Sequence, residues 1–289
     1  RGGMIVGMGA AGMVLEDGRA LESRGMKPLA ELLAAQFDNS AYHLTRLHTR
    51  HVCKTMERLV SKAELRHGLA RSDMAGKMLF MSHETYTPAQ GGSSQAEAEA
   101  LKAVFGADTP KVVVTNTKGF TGHSMGASLE DVVAVRAMNL GKLPPIANFK
   151  EPDPELAGIT LSKGGDYDCE FALRLGAGFG SQIAMTLMRR GWKAGEPRTD
   201  KPRYEGWLKE ITQDPEPVLE VVHNTLRVMD KKGKARKGVN APLPVLPVSP
   251  ISSAPAIMAA APTPPVQTAA LRAAGPAAGP PAASLSEAA

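Results

Sequence analysis

Three short strand-like runs in the first 190 residues break directly into polar or glycine-rich turns. Met78–Met81 leads into "SHETYTPAQGGSSQ", Lys111–Thr115 into "NTKGFTGHSMGA", and the run after Cys169 into "GAGFGS". Short apolar runs bounded by turn signals read as buried strands. Between them lie segments with helical spacing. Arg50–Gly68 sets Val52, Met56, Leu59, Val60 and Ala63 on one face and ends at a glycine, the usual left-handed helix stop. Ala96–Phe105 and Leu129–Leu140 also read as helices. Strand, helix and strand in alternation specify a layered α/β fold.

The rest of the chain is less decided. Met4–Glu16 reads as a buried strand, a turn and a second strand, with Gly7, Gly9 and Gly12 allowing close backbone packing. Asp17–Gly25 reads as a short helix closed by Gly25, and Pro28–Phe37 as either strand or helix. "GKLPPIANFKEPDPEL" is proline-rich and extended, and the stretch around "GAGFGS" reads as strand, glycine turn, strand. Tyr204–Met229 is expected to hold one or two amphipathic helices. From Asn240 the chain is Ala, Pro and Ser with almost no charge. Such a segment buries too little to offset its ordering entropy, so a disordered tail is expected. Three parts follow: a domain over 1–190, a linker with helices over 191–239, and an interdomain tether over 240–289. The opening "RGGMIVGMGAAGMVLE" begins at Arg1 and reads as mid-domain text, as in a piece of a longer polypeptide.

Composition excludes several classes. Aromatics are only 4%, which argues against a base-stacking nucleic-acid surface. The formal charge of +5 owes part of its value to Lys231, Lys232, Lys234, Arg236 and Lys237, a solvated linker run that could also attract an acidic partner domain. The two cysteines, Cys53 and Cys169, offer no C-x-x-C or Cys/His spacing, so no metal site or disulfide framework is expected. A reducing compartment, the cytoplasm, fits. No apolar run reaches the ~18 residues of a membrane span, and no signal peptide is expected.

Taken singly, each turn is ordinary: a polar loop with His83, a surface lysine at Lys118, a tight turn at 176–181. A dinucleotide-binding turn is excluded, because "GFTGHSMG" does not fit G-x-G-x-x-G and no acidic residue follows at the required distance. Together the turns say more, since sites in open α/β sheets gather at strand ends. His83 and His123 there can both donate hydrogen bonds to one developing oxyanion, and a glycine turn can present a backbone N–H to another. Lys118 can hold a histidine or a carboxylate in its working orientation.

At these residues the sequence resembles the C-terminal part of a β-ketoacyl synthase (ketosynthase) of a multidomain polyketide or fatty-acid synthase. "SHETYTP" resembles the family's H-G-T-G-T-P turn and "TKGFTGHSMGA" its K-x-x-x-G-H turn. "GAGFGS" resembles G-F-G-G, and "GMGAAGMVLE" resembles the glycine-rich strand pair that closes the N-terminal half. The resemblance implies a thiolase-like α-β-α fold, comprising the C-terminal half and the end of the N-terminal half. It implies a decarboxylative Claisen condensation of malonyl-carrier with an acyl-enzyme. His83 and His123 would then stabilise the enolate and Lys118 would orient them. Thr85 and Thr87 would face pantetheine. Phe179, flanked by Gly178 and Gly180, would gate the acyl group, and its backbone N–H would hold the oxyanion. Glu130 is the counterpart of a glutamate on the helix after the second histidine, about two residues closer than in the family. Glu84, Tyr86 and Ser181 stand where the family has glycines.

No directly bound cofactor is implied; substrates ride on the phosphopantetheine of an acyl carrier protein. The implied partners are that carrier, the upstream half of the ketosynthase and a second copy in a homodimer, with no nucleic acid and no membrane. The nucleophilic cysteine belongs upstream in the family, and Cys53 and Cys169 are expected to be packing residues. Alone, residues 1–289 would be inactive. Two other readings remain: a non-catalytic, chain-length-factor-like subunit, which the retained His83, Lys118 and His123 disfavour, and a thiolase, which the K-x-x-x-G-H turn disfavours.

Overall fold

The computed structural model describes residues 4–86, 92–123, 128–147, 149–223 and 225–229. The chain begins with helix α1 (Gly18–Ser23), strand β1 (Ala30–Asn39), α2 (Thr49–His67), α3 (Arg71–Ala75) and β2 (Met78–Met81). There follow α4 (Ser93–Phe105), β3 (Val113–Thr115), α5 (Lys118–Thr121), α6 (Ser128–Leu140), β4 (Lys142–Pro145), β5 (Thr160–Leu161) and β6 (Lys163–Asp166). The series closes with β7 (Phe171–Gly178), β8 (Gln182–Arg190), α7 (Lys201–Thr212), β9 (Val218–Val222) and β10 (Thr225–Met229).

Six strands make one sheet in the order β1-β8-β7-β2-β3-β5. β1, β8 and β7 run antiparallel, while β7, β2, β3 and β5 run parallel. The central strand β2 is apolar throughout because both its faces are covered. Met78 and Phe80 face a core with Val52, Met56 and Leu59 of α2 and Leu101 of α4. Leu79 and Met81 face the other core, with Ala134 and Met138 of α6. The sheet is therefore sandwiched between helices, as the alternating pattern predicts. Each fully buried Leu or Met contributes about 1.5–3 kcal/mol. The α2 stripe is buried at every expected position, and Gly68 closes the helix at φ 62. Pro28–Phe37, open between strand and helix, is strand β1, paired along its length with β8.

Two expectations are corrected. Among the described residues, Met4–Glu16 forms no strand pair. Its one bridge joins Val6 to His123, and Ile5, Val6, Met8 and Val14 are exposed. The apolar composition signalled an appetite for burial, but a strand also needs a partner edge, and the backbone of His123 supplies only a single bridge. The second correction lies at Tyr204–Met229, where α7 is followed by the hairpin β9–β10. Pro215 and Pro217 bar a second helix, and the valine-rich run beyond them pairs as strands, Val222 opposite Thr225. The residues after the sheet, which ends at Arg190, return to α1: Asp200 N–H donates to the Gly25 carbonyl at 2.7 Å. Among the described residues, no helix is long and apolar enough to cross a membrane. The tail over 240–289 lies outside the described residues.

Candidate active site

β2, β3 and β7 are parallel, so the turns that follow them open at one edge of the sheet. Ser82 N–H donates to the Thr115 carbonyl at 2.9 Å and carries the ladder past the last paired residue. Asn116, 3% exposed, then ties two of the turns together. Its Oδ1 accepts from Lys118 N–H at 2.8 Å, and its Nδ2 donates to the carbonyls of Ser82 (3.2 Å) and Glu84 (2.8 Å). From α4 the buried Glu97 fixes the first turn. It accepts from Ser82 Oγ at 2.5 Å and from the His83 backbone N–H at 2.6 Å. Neither Asn116 nor Glu97 was singled out from sequence. In "QAEAEALKAVF", only the phase Glu97, Leu101, Val104 on one buried stripe distinguishes Glu97 from a solvent-facing glutamate.

His123 is placed by glycines. Gly122 ends α5 at φ 67, and a Cβ there would lie 2.7 Å from Gly7 Cα. Reciprocally, a Cβ on Gly7 would meet the Thr121 carbonyl at 1.9 Å. The two backbones can therefore touch, and His123 N–H donates to the Ile5 carbonyl at 2.7 Å. The structure brings His83, Lys118, His123 and Glu130 into one cavity of about 560 Å³, with Arg174 and Gly178 also in its wall. The two imidazoles meet edge-to-face, 5.8 Å between centroids. Lys118 is buried; its Nζ donates to the His83 carbonyl at 3.0 Å and pairs with Glu130 Oε1 at 3.1 Å.

Burial, reinforced by the charges of Lys118, His123 and Arg174, pushes the His83 imidazole down to about 3. His123 is lowered by burial and then by Lys118. Both rings are therefore neutral at neutral pH, and each keeps one N–H donor. Among the described residues, His123 Nδ1 is buried without a hydrogen-bond partner. Glu97 is raised to about 8 by burial, against the hydrogen bonds from Ser82 and His83. Two neutral imidazoles facing one cavity, with a lysine fixed behind them, can share an anion forming on a single oxygen.

The three departures from glycine have local causes. Tyr86 adopts φ 61 and Ser181 φ 59, conformations that cost a non-glycine residue about 1–2 kcal/mol. Ser181 Oγ, in return, accepts from His48 N–H at 3.1 Å. Glu84 accepts from Tyr86 N–H at 2.6 Å and from Ser94 N–H at 2.8 Å, which caps the start of α4. Phe179 and Gly180 sit at the β7–β8 turn with Phe179 exposed, and neither is in the cavity wall. Thr85 lies in the first turn outside that wall; Thr87 lies outside the described residues. Cys53 is on α2 against the first core, and Cys169 is fully buried in the second, its thiol pushed up to about 11 by burial. Neither thiol reaches the cavity wall.

Residues 29–150 match the family described as β-ketoacyl synthase, C-terminal domain. The 3-oxoacyl-[acyl-carrier-protein] synthase 2 of Coxiella burnetii is 31% identical over 157 residues, 53% of this chain and 36% of that protein. Nodulation protein E of Rhizobium meliloti is 32% identical over 157 residues, 54% of this chain and 37% of that protein. The chain thus spans little more than a third of the length of these relatives. A type II polyketide ketosynthase, solved with its acyl carrier protein and a bound hexaketide, superposes with a TM-score of 0.52 at 25% identity, over 61% of this chain and 42% of that one. The ishigamide ketosynthase/chain length factor superposes with a TM-score of 0.56 at 22% identity, over 66% of this chain and 45% of that one. The sheet and its helix layers are those of the thiolase-like ketosynthases.

Proposed function

We propose that the chain is the C-terminal part of a β-ketoacyl synthase, the family whose C-terminal domain matches residues 29–150, and that it supplies the decarboxylating side of a condensing enzyme. The observation that carries this reading is the pair of neutral imidazoles, His83 and His123, facing one cavity with Lys118 buried behind them. Malonyl on the phosphopantetheine of an acyl carrier protein would place its thioester oxygen between the two rings. The bond from the α-carbon to the carboxylate breaks, CO₂ leaves, and the electron pair passes to the thioester oxygen as an enolate. The two ring N–H groups hold that charge, and the α-carbon then attacks an acyl thioester, forming the new carbon–carbon bond and expelling the thiolate that carried the acyl group. Lys118 acts through its grip on the His83 carbonyl and Glu130. The Phe179 backbone N–H serves the oxyanion of the attacked thioester, and Thr85 and Thr87 serve the pantetheine arm.

Cys53 and Cys169 lie away from the cavity, so the acyl-bearing thiol comes from a part of the ketosynthase outside residues 1–289. The relatives' greater length leaves room for it. The product is a β-ketoacyl chain of the polyketide or fatty-acid type, and residues 240–289 would tether a further domain. The test is release of CO₂ from malonyl-carrier by the complete ketosynthase, wild type against His123→Ala. Loss of one such donor is expected to slow release by about 10²–10³-fold. A folded variant that decarboxylates at the wild-type rate would remove His123 from the chemistry, and a folded wild type that releases no CO₂ would end the enzymatic reading.

A further inference from the structure

One cation in the cavity wall, Arg174, takes no part in the condensation steps. Arg174 sits in the apolar strand "FALRLG", opposite Met81 in the β2 register and so one residue before the Ser82–His83 turn. Alternation along β7 turns it away from Leu173 and Leu175 and toward α6. There it is 5% exposed. A guanidinium has five N–H donors in a planar fork. Among the described residues its ion-pair partner is Asp131, at 3.4 Å from Nη1, and its Nε is buried with no hydrogen-bond partner. Room for the group is kept by Gly176, where a Cβ would lie 2.9 Å from Nη2.

Lys118, the other cation in the wall, is committed on two sides, to Glu130 at 3.1 Å and to the His83 carbonyl at 3.0 Å. Arg174 is not. A buried, incompletely matched cation is costly to keep, and a planar carboxylate completes a guanidinium better than any other common anion except phosphate. The phosphate of a carrier arm lies at the far end from its thioester, so the anion that reaches a cavity walled by both histidines is a carboxylate on the acyl group itself.

We propose that Arg174 is a specificity-determining residue: it receives the carboxylate of a dicarboxylic acyl thioester and so selects the charged extender over uncharged acyl groups in the histidine cavity. This rests on the condensing reading above. Arg174 holds the ground state. When the α-carbon–carboxylate bond breaks and CO₂ departs, the charge moves from beside Arg174 to the thioester oxygen between His83 and His123. Binding and KM for the extender therefore depend on Arg174, while the decarboxylation step relies on the histidines.

The test uses the complete ketosynthase and two stable probes: malonyl-pantetheine with an amide in place of the thioester, and the acetyl amide that lacks the carboxylate. Calorimetry would compare wild type, Arg174→Lys and the double variant Arg174→Gln with Asp131→Asn, which removes both charges of the pair at once. Wild type is expected to bind the malonyl probe about tenfold more tightly than the acetyl probe, the scale of one charge-assisted contact. The double variant should bind the two probes equally, with the acetyl affinity kept. Arg174→Lys should retain only part of the preference, since an ammonium lacks the fork. No preference in wild type, or a preference that survives the double variant, overturns the proposal and leaves Arg174 a packing partner of Asp131. If the double variant does not fold, Arg174→Lys decides alone, full preference overturning the proposal. Failure of both probes to bind wild type would instead bring down the condensing reading itself.

Discussion

Lys118 and Glu130 should be strongly coupled, and the coupling can be worked out from their surroundings. The ion pair spans 3.1 Å with side-chain exposures of 3% and 6%. Replacing one member strands the other as a buried charge, which typically costs about 3–5 kcal/mol. Lys118→Met does this to Glu130 and also removes the donor to the His83 carbonyl. Glu130→Gln keeps a carbonyl oxygen for the ammonium, so its cost should sit at the low end, about 3 kcal/mol. The double variant leaves no lone charge and loses chiefly the hydrogen bond to His83, about 1–3 kcal/mol. The single costs therefore sum to well above the double cost, with an interaction of at least ~2 kcal/mol. Urea unfolding followed by tryptophan fluorescence reads this directly, since Trp192 lies just beyond β8. Single and double costs that add within ~0.5 kcal/mol would refute the buried-pair argument.

Two further outcomes follow from the cavity's supports. The folded-state pKa of Glu97 is raised, so its contribution to stability is full below about pH 4.5 and is lost as pH climbs toward about 8. Glu97→Gln cannot lose a proton, so its melting temperature relative to wild type should rise steadily from pH 5 to pH 8; a difference independent of pH would show that Glu97 stays ionised. At Gly122, alanine must adopt φ 67 with its Cβ 2.7 Å from Gly7 Cα. The left-handed strain alone costs about 1–2 kcal/mol, or roughly 2–8 °C of melting temperature for a domain of this size, and His123 should move with it. Gly122→Ala should therefore lose both thermal stability and CO₂ release, and unchanged values for both would show that the Gly7–Gly122 contact does not position His123.

The site was legible in the sequence where chemistry and topology coincide. Buried strands that break at once into turns with His83, Lys118 and His123 can be read without a structure, because parallel strands bring their following turns to one edge. What was not legible is the shell behind them. Glu97 and Asn116 look like ordinary polar residues until burial shows where their hydrogen bonds go. Arg174 did leave a signal, since a charge in the middle of a buried strand requires a partner. Its spacing names the face it points to but not the residue it meets. Met4–Glu16 failed for the converse reason, because composition states a demand for burial and says nothing about which surface meets it.

The charges around the cavity can be read as one arrangement. Consecutive residues in the first turn of α6, Glu130 and Asp131, each meet a cation from a different element, Lys118 from α5 and Arg174 from β7. Carboxylates there also sit at the favourable end of the helix dipole. The four charges cancel, and the histidines add none, because burial and the nearby cations keep His83 and His123 unprotonated. An incoming acyl group thus meets fixed donors beside two ion pairs, Lys118–Glu130 and Arg174–Asp131. A cationic imidazolium would grip the substrate carboxylate and the enolate alike, whereas a neutral N–H beside a separate guanidinium lets the charge pass from one group to the other as CO₂ leaves. Rate enhancement depends on such differences between ground and transition state. The depressed imidazoles are therefore the feature to alter first: a substitution that restores ordinary basicity to His83 without moving it should tighten carboxylate binding without speeding CO₂ release.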